Sequence, residues 1–171
     1  MIILGIDPGY ATICYGVVEK NKSKLAPVDY GVIATPQNES IAYRLAMIYE
    51  AMNKLIGKFK PDEVAIEELF FNTNITTGIK VAEARGVILL STIQSCGKLY
   101  EYTPLMIKQA LTGNGRADKH QVQYMVQMLL NLKTIPRPDD AADALAAAVC
   151  HANMCSCLLY TSDAADDKAR V

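Results

Sequence analysis

The chain has 171 residues, of which 51% are hydrophobic and 20% charged, and its formal net charge is −1. This composition is typical of a folded globular domain and excludes a natively disordered chain. Its apolar runs are far shorter than the roughly 20 residues that a membrane-spanning helix needs. No basic leader precedes the first predicted strand. We therefore expect a cytoplasmic protein with no membrane contact.

The first part of the chain predicts an antiparallel meander followed by a helix. Strands are predicted over Met1–Asp7, Ile13–Val18 and Val28–Ala34, with Glu19–Lys24 as a polar hairpin loop. From Ile41 to Leu55 apolar residues recur at helical spacing, and Gly57 stands where a glycine often ends a helix.

The second part alternates strands with helices. Strands are predicted over Val64–Ile66 and Leu99–Tyr102, and helices over Thr77–Ser95, Pro104–Leu111, Lys119–Leu132 and Pro138–Ala152. A meander followed by this alternation predicts an α/β fold, in which helices cover both faces of a mixed five-stranded sheet. No linker divides the chain, so we expect one domain over residues 1–154.

The distribution of charge and the spacing of the cysteines limit the functions that this chain can have. From Lys80 to Arg137 the chain has eight basic residues against three acidic ones, whereas acids gather at Asp62–Glu68 and after Asp139. Such a separation suits a protein that binds a polyanion on one surface and cations in a pocket. The five cysteines include no CxxC pair facing a second pair, so we expect reduced thiols and no zinc site.

Acidic side chains stand at the ends of predicted strands and on the last helix. Asp7 ends the first strand, Glu67 ends the fourth, and Asp140 and Asp143 lie three residues apart among alanines. Carboxylates that face one another repel unless a cation lies between them, and magnesium prefers oxygen ligands. Each acid also has a structural alternative, as a turn residue, a solvated strand exit or a helix cap. Together, however, they favour a site for two ions that hydrolyses phosphodiesters.

Five segments in order resemble one family. They are ILGIDPG, VAIEELFF, KVAEARGVI, YTPLMIKQALTGNGRADKHQVQYMV and PDDAADALAAAVCHA. In these segments the chain is similar to the RuvC family of Holliday-junction resolvases, which have a ribonuclease-H-like fold, and the similarity runs to about Met154. The resemblance implies a structure-specific endonuclease that resolves four-way junctions by symmetric, metal-dependent hydrolysis of DNA during recombination and repair.

The resemblance also implies roles for individual residues. Asp7, Glu67, Asp140 and Asp143 match the catalytic acids of the family, which would hold two Mg²⁺ ions, with Mn²⁺ as a substitute. Lys108 and Lys119 match basic positions near the scissile phosphate. Phe70 matches an aromatic that unstacks bases at the junction centre, although the sequence leaves open whether Phe70 or Phe71 faces DNA. The DNA-binding residues expected are Phe70, Lys108, Arg116, Lys119 and His120.

Expected partners follow from the substrate. A junction with two-fold symmetry needs two active sites, so the resemblance implies a homodimer, and the helix around Ala82–Ile93 is a candidate interface. The branch-migration proteins RuvA and RuvB are expected to cooperate with it. We also expect the loop Gly113–Ala117 to bring backbone N–H groups near phosphate.

The sequence leaves three other functions to consider. A YqgF-like nuclease of the same fold would use the same acids on different nucleic acid. An actin-like nucleotide-binding module would need a second phosphate loop, and an inert DNA-binding protein would not need the intact acids.

The end of the chain differs from the family. Residues 155–171 repeat the sequence DAAD at Asp163–Asp166 without an apolar helix around it, so these acids are excluded from the site. The segment resembles translated adaptor sequence, and we expect it to be atypical, disordered and possibly not native.

Overall fold

The computed structural model describes residues 1–68 and 75–166, with side chains described over 1–68 and 78–155. Its strands are β1 (Ile2–Asp7), β2 (Thr12–Asn21), β3 (Lys24–Ala34), β4 (Glu63–Glu67) and β5 (Leu99–Tyr102). Its helices are α1 (Ile41–Phe59), α2 (Ile75–Ser95), α3 (Pro104–Thr112), α4 (Lys119–Leu129) and α5 (Asp139–Asp166). Within these residues no helix is both long enough and apolar enough to cross a bilayer.

The strands form a single mixed sheet in the order β3-β2-β1-β4-β5. The first three strands pair antiparallel, and β4 lies parallel to both β1 and β5. This confirms the predicted five-stranded α/β architecture. The parallel pairing is decisive for function, because it brings the carboxyl ends of β1 and β4 to the same edge of the sheet.

Helices cover both faces of this sheet, as predicted. Alternate residues of β1 point to opposite sides, so Ile3 joins a core with α3, α4 and α5, while Leu4 and Ile6 join a core with α1 and α2. On the α5 side the helix comes very close to the strands. A Cβ atom added at Gly16 would lie 2.7 Å from Leu145, so glycine is needed at this crossing.

Several predicted boundaries need correction. The first hairpin is tighter than expected, since β2 extends to Asn21 and β3 begins at Lys24, which leaves only two residues for the turn. Lys22 takes a left-handed conformation there, with φ 56°. The residues added to β2 after Val18 are polar, whereas those added at the start of β3 include Leu25, which packs against the core, so the backbone ladder extends past both predicted strand ends.

Gly57 does not end the first helix. The helix continues to Phe59, which packs against the α1–α2 core, and Lys60 forms the cap with φ 45° while its N–H donates to the Ile56 carbonyl. Burial of Phe59 therefore outweighs the helix-ending tendency of Gly57.

The last helix runs to Asp166, past the end expected near Ala152, and α4 ends at Leu129 instead of Leu132. The division of the chain near residue 154 and the atypical character of residues 155–171 stay predictions. Phe70 and Phe71 lie outside the described residues, so the question of which one faces DNA also stays open.

Candidate active site

The parallel pair β1–β4 brings two of the predicted acids side by side. The register pairs Ile6 with Ile66, so the next residues, Asp7 and Glu67, end adjacent strands at the same edge. In β1, Gly5 faces α5, and because side chains alternate along a strand, Asp7 faces α5 as well. The same alternation in β4 places Glu67 on the face of Ala65, which packs in the α5-side core.

The other two acids come from the first turns of α5. Asp140 and Asp143 are three residues apart and so lie on one face of the helix. The alanines around them are fully buried, which keeps the helix close to the sheet. Asp143 is the more enclosed of the two acids, with its side chain 25% exposed against 57% for Asp140. We call Asp7, Glu67, Asp140 and Asp143 the acidic centre.

Lys119 joins the two helix acids. Its Nζ donates to Asp140 Oδ1 at 2.7 Å and lies 3.1 Å from Asp143 Oδ2. These hydrogen bonds raise the pKa of the Lys119 ammonium, so it stays charged. Lys119 is the first residue of α4, and a capping box formed by Asp118 and Gln121 fixes the start of that helix. The cap therefore sets the position of the lysine.

A cavity of about 250 Å³ opens beside the acidic centre. Two acidic residues, Glu67 and Asp143, and two basic residues, Lys108 and Lys119, line this cavity. Lys108 belongs to α3, whose start is fixed by the Thr103 cap. The remaining lining residues are Pro104, Ile107, Val122 and Ala146.

Asp7 and Glu67, the acids at the ends of the two strands, lie where a negative charge is unfavourable. Burial, together with the carboxylates of Asp143 and Asp140, raises the pKa of Asp7 from 3.8 to about 7. Burial and the charges of Asp7 and Asp143 raise the pKa of Glu67 from 4.5 to about 7. Burial also raises the pKa of Asp143, against the effect of Lys119. The positive charge of Lys119 therefore does not balance the centre.

This imbalance predicts a pH-dependent stability. Between about pH 4 and pH 7 native Asp7 and Glu67 keep protons that the unfolded chain has lost, so the free energy of unfolding falls as pH rises through this range. In EDTA the melting temperature should drop between these values, and Asp7→Asn should flatten the slope. A slope equal in parent and variant would contradict the assignment.

The loop 113–117 does not offer backbone donors to phosphate, which corrects that prediction. The N–H of Gly115 donates to Gln109 Oε1 at 2.9 Å, and the N–H of Arg116 donates to Asn114 Oδ1 at 3.0 Å. The N–H of Ala117 donates to the Asn114 carbonyl. These hydrogen bonds fix the conformation of the loop that connects α3 to α4. The Arg116 and His120 side chains are exposed.

His151 is fully buried inside α5, outside the acidic centre. Its Nδ1 lies 2.6 Å from the Tyr102 hydroxyl, and its Nε2 lies 2.6 Å from Glu63 Oε2. The only sequence signal was a histidine within an apolar helical run, which does not identify its partners.

A mixed sheet with carboxylates converging from two parallel strand ends and a crossing helix defines a ribonuclease-H-like nuclease centre. The sequence model described as "Crossover junction endodeoxyribonuclease RuvC" matches residues 3–151. The chain belongs to this RuvC family.

Relatives and solved structures agree with this assignment. A crossover junction endodeoxyribonuclease RuvC from Clostridioides difficile is 51% identical over 90% of both chains. One from Halothermothrix orenii is 53% identical over 90% of this chain and 93% of its own. The structure titled "T. thermophilus RuvC in complex with Holliday junction substrate" superposes with a TM-score of 0.85 at 36% identity, covering 91% of this chain and 94% of that one.

Proposed function

We propose that this protein is a Holliday-junction resolvase that hydrolyses DNA phosphodiesters at the acidic centre. The observation that carries the proposal is the convergence of Asp7, Glu67, Asp140 and Asp143 beside a cavity that also holds two lysines. Similarity to the structure of a relative with its junction substrate supports the choice of DNA. A hydrolase of this kind needs no histidine base, and neither histidine of the described chain lies in the acidic centre.

The acidic centre fits divalent cations. It consists of oxygen donors only, it is partly buried, and burial together with its own negative charges raises the pKa of Asp7 and Glu67, because the nearby lysines offset these effects only in part. Hard cations with oxygen preference, Mg²⁺ with Mn²⁺ as a substitute, match such a donor set. Two such ions, held by the four acids, would supply an activated water and charge stabilisation at the leaving oxygen.

The fold would hold the four acids in position, and two lysines would balance negative charge on the phosphate. Asp7 and Glu67 are fixed to the sheet, while Asp140 and Asp143 are held by the close contact of α5 with β1. Lys108 and Lys119 would stabilise negative charge that grows on the phosphate, each as a point charge. Lys119 already holds two carboxylates, so it can exchange these for a phosphate oxygen without leaving its place.

DNA contacts outside the centre remain proposals from the sequence. The basic stretch from Lys80 to Arg137 would follow the phosphate backbone, with Arg116 and His120 exposed next to Lys119. Phe70 would stack on a base at the junction centre, a contact that every base can make.

Cleavage of matched substrates tests the function. The protein is incubated with a synthetic four-way junction and with a linear duplex of the same sequence, each with magnesium or with EDTA. We expect paired cuts in opposing strands of the junction, no comparable cutting of the duplex, and none in EDTA. Equal cutting of both substrates would instead favour a YqgF-like nuclease. Binding without cutting in magnesium would favour an inert DNA-binding protein.

A homodimer is the assembly that symmetric cutting requires, and α2 is its proposed interface. Three apolar side chains on this helix are exposed in the single chain: Ile79 at 57%, Leu90 at 54% and Ile93 at 51%. Gly86 lies between them with nothing within 4 Å of its missing side chain, so a second copy of the helix can approach closely. The partnership with RuvA and RuvB and the cytoplasmic location stay predictions.

A charge on this face is expected to separate the protomers. Leu90→Glu should turn a dimer into a monomer in sedimentation velocity, because a carboxylate would be buried against its own symmetry mate. Met128→Glu is the matched control, since Met128 is 58% exposed on α4 and lies outside the proposed interface. A Leu90→Glu protein that remains dimeric would rule out α2 as the interface.

A further inference from the structure

A second group of side chains with metal-ligating atoms lies at the other end of β4. Glu63 begins this strand and Glu67 ends it, so the group is about 13 Å from the acidic centre along the strand. Its members, Glu63, His151 and Cys155, come from β4 and from two turns of α5. One donor atom from each lies within 4.8 Å of the others.

The donor atoms already form a small triangle. Glu63 Oε2 and His151 Nε2 are 2.6 Å apart, and Cys155 Sγ lies 3.3 Å from that nitrogen and 3.6 Å from that oxygen. Around tetrahedral zinc, with bonds of about 2.0–2.3 Å, ligand atoms lie roughly 3.4 Å from one another. The two sulfur distances fit this directly, and the nitrogen and oxygen need only separate a little.

The surroundings support ligation as well. The His151 ring is fully buried, and its second nitrogen, Nδ1, is held by the Tyr102 hydroxyl at 2.6 Å. Metal-bound histidines are usually oriented by such a partner. The other carboxylate oxygen of Glu63, Oε1, contacts Lys98 at 3.4 Å, which leaves Oε2 directed at the histidine and the thiol.

We propose that Glu63, His151 and Cys155 bind a zinc-class transition-metal ion, with water as the fourth ligand, in a site separate from the nuclease centre. One soft thiolate, one imidazole and one carboxylate suit zinc and do not suit magnesium. The ion would fasten α5 beyond His151 to the start of β4. The site does not depend on the proposed nuclease function.

The proton balance of binding is simple. Because the Glu63 carboxylate can only accept, we assign the imidazole proton of the metal-free protein to Nε2, which donates to Glu63, so that the Tyr102 hydroxyl donates to Nδ1. With metal, the imidazole proton lies on Nδ1 and is donated to the Tyr102 oxygen, because a hydroxyl can serve in both roles. The freed Nε2 lone pair binds the ion, and the Cys155 thiol loses its proton to solvent. Each ion bound therefore releases one proton, and affinity should rise with pH.

Cobalt(II) is the probe, because a thiolate bound to it gives a charge-transfer absorption that oxygen ligands do not give. The full chain, stripped with EDTA and kept reduced, is titrated with Co²⁺. We expect one equivalent to produce the thiolate band, with Zn²⁺ and not Mg²⁺ displacing it. Zn²⁺ should also raise the melting temperature.

Variants assign the band to this site. Cys155→Ser should abolish the band and weaken zinc binding at least about 100-fold, more than the 10–100-fold that loss of an outer partner costs. Tyr102→Phe should keep the band and weaken binding about 10–100-fold. Cys96→Ser, which removes a half-buried thiol outside the triangle, should bind like the parent.

Two results would overturn the proposal. The first is the absence of a thiolate band in the parent protein. The second is a band that survives in Cys155→Ser, which would place the ion on another thiol such as Cys157.

Discussion

Replacing Asp143 by asparagine is expected to slow junction cleavage at least about 100-fold, the loss typical when a group that stabilises the transition state is removed. Asp143 is the acid most central to the site: it raises the pKa of both Asp7 and Glu67, it contacts Lys119, and it lines the cavity. Asparagine has the same shape and no charge, so the fold should persist while cation binding weakens. Single-turnover cleavage at saturating protein measures the effect.

Asp139→Asn is the control for this experiment. Asp139 lies about one turn earlier on the same helix and can undergo the same change from aspartate to asparagine. Its side chain is 54% exposed and pairs with Arg137 instead of Lys119. It should cleave within about twofold of the parent, since exposed ion pairs contribute little. Junction binding by Asp143→Asn should be retained in gel shifts. Equal rates for the two variants would remove Asp143 from the chemistry.

Three of the four acids of the acidic centre could be recognised from sequence because each of them ends or interrupts an otherwise apolar element, and Asp140 lies three residues before one of them on the same helix face. Asp7 and Glu67 stand where buried strands stop, and Asp143 stands within a helix of buried alanines. Local pattern gives each position, and the parallel pairing of β1 with β4 then brings the strand ends together. Lys119 was found only through family resemblance, because an exposed lysine at a helix start carries no signal of its own.

Features that depend on distant contacts could not be predicted. Gly57 looks like a helix end until Phe59 is seen to pack against the core. The loop at Gly115 resembles a phosphate-binding loop until the structure shows that its N–H donates to the side chain of Gln109, six residues earlier in α3.

The proximity of Glu63, His151 and Cys155 also depends on distant contacts, so it could not be predicted from the sequence. Spacing rules for zinc depend on ligands that are close in sequence, and the cysteine spacings here argued against zinc. Glu63 and His151 are 88 positions apart. Only the packing of α5 across the start of β4 brings them into contact, and a pattern search along the chain cannot detect that.

The contact between α5 and β1 determines the geometry of the acidic centre, and Gly5 makes it possible. A Cβ atom at this position would overlap the carbonyl oxygen of Ala144 and lie 2.8 Å from the Ala148 backbone nitrogen. Both are helix backbone atoms, which cannot turn aside as a side chain can. Any residue other than glycine must therefore push the helix off the strand, and Ala144 directly follows Asp143.

Gly5→Ala is expected to destabilise the protein by about 3 kcal/mol or more and to lower its Tm by roughly 10 °C, as severe overpacking does in a domain of this size. Activity of the remaining folded fraction should fall too, because displacement of α5 moves Asp140 and Asp143 away from Asp7 and Glu67. Thermal melts and cleavage rates, each corrected for the folded fraction, measure the two effects.

Gly57→Ala is the matched control for this substitution. Gly57 lies exposed within α1 with nothing within 4 Å of its missing side chain, so alanine there should stabilise the helix by about 0.5–1 kcal/mol and leave cleavage unchanged. The same chemical change thus has opposite signs at two glycines. A Gly5→Ala protein as stable and active as Gly57→Ala would mean that the close contact of α5 with β1 does not hold the acidic centre together.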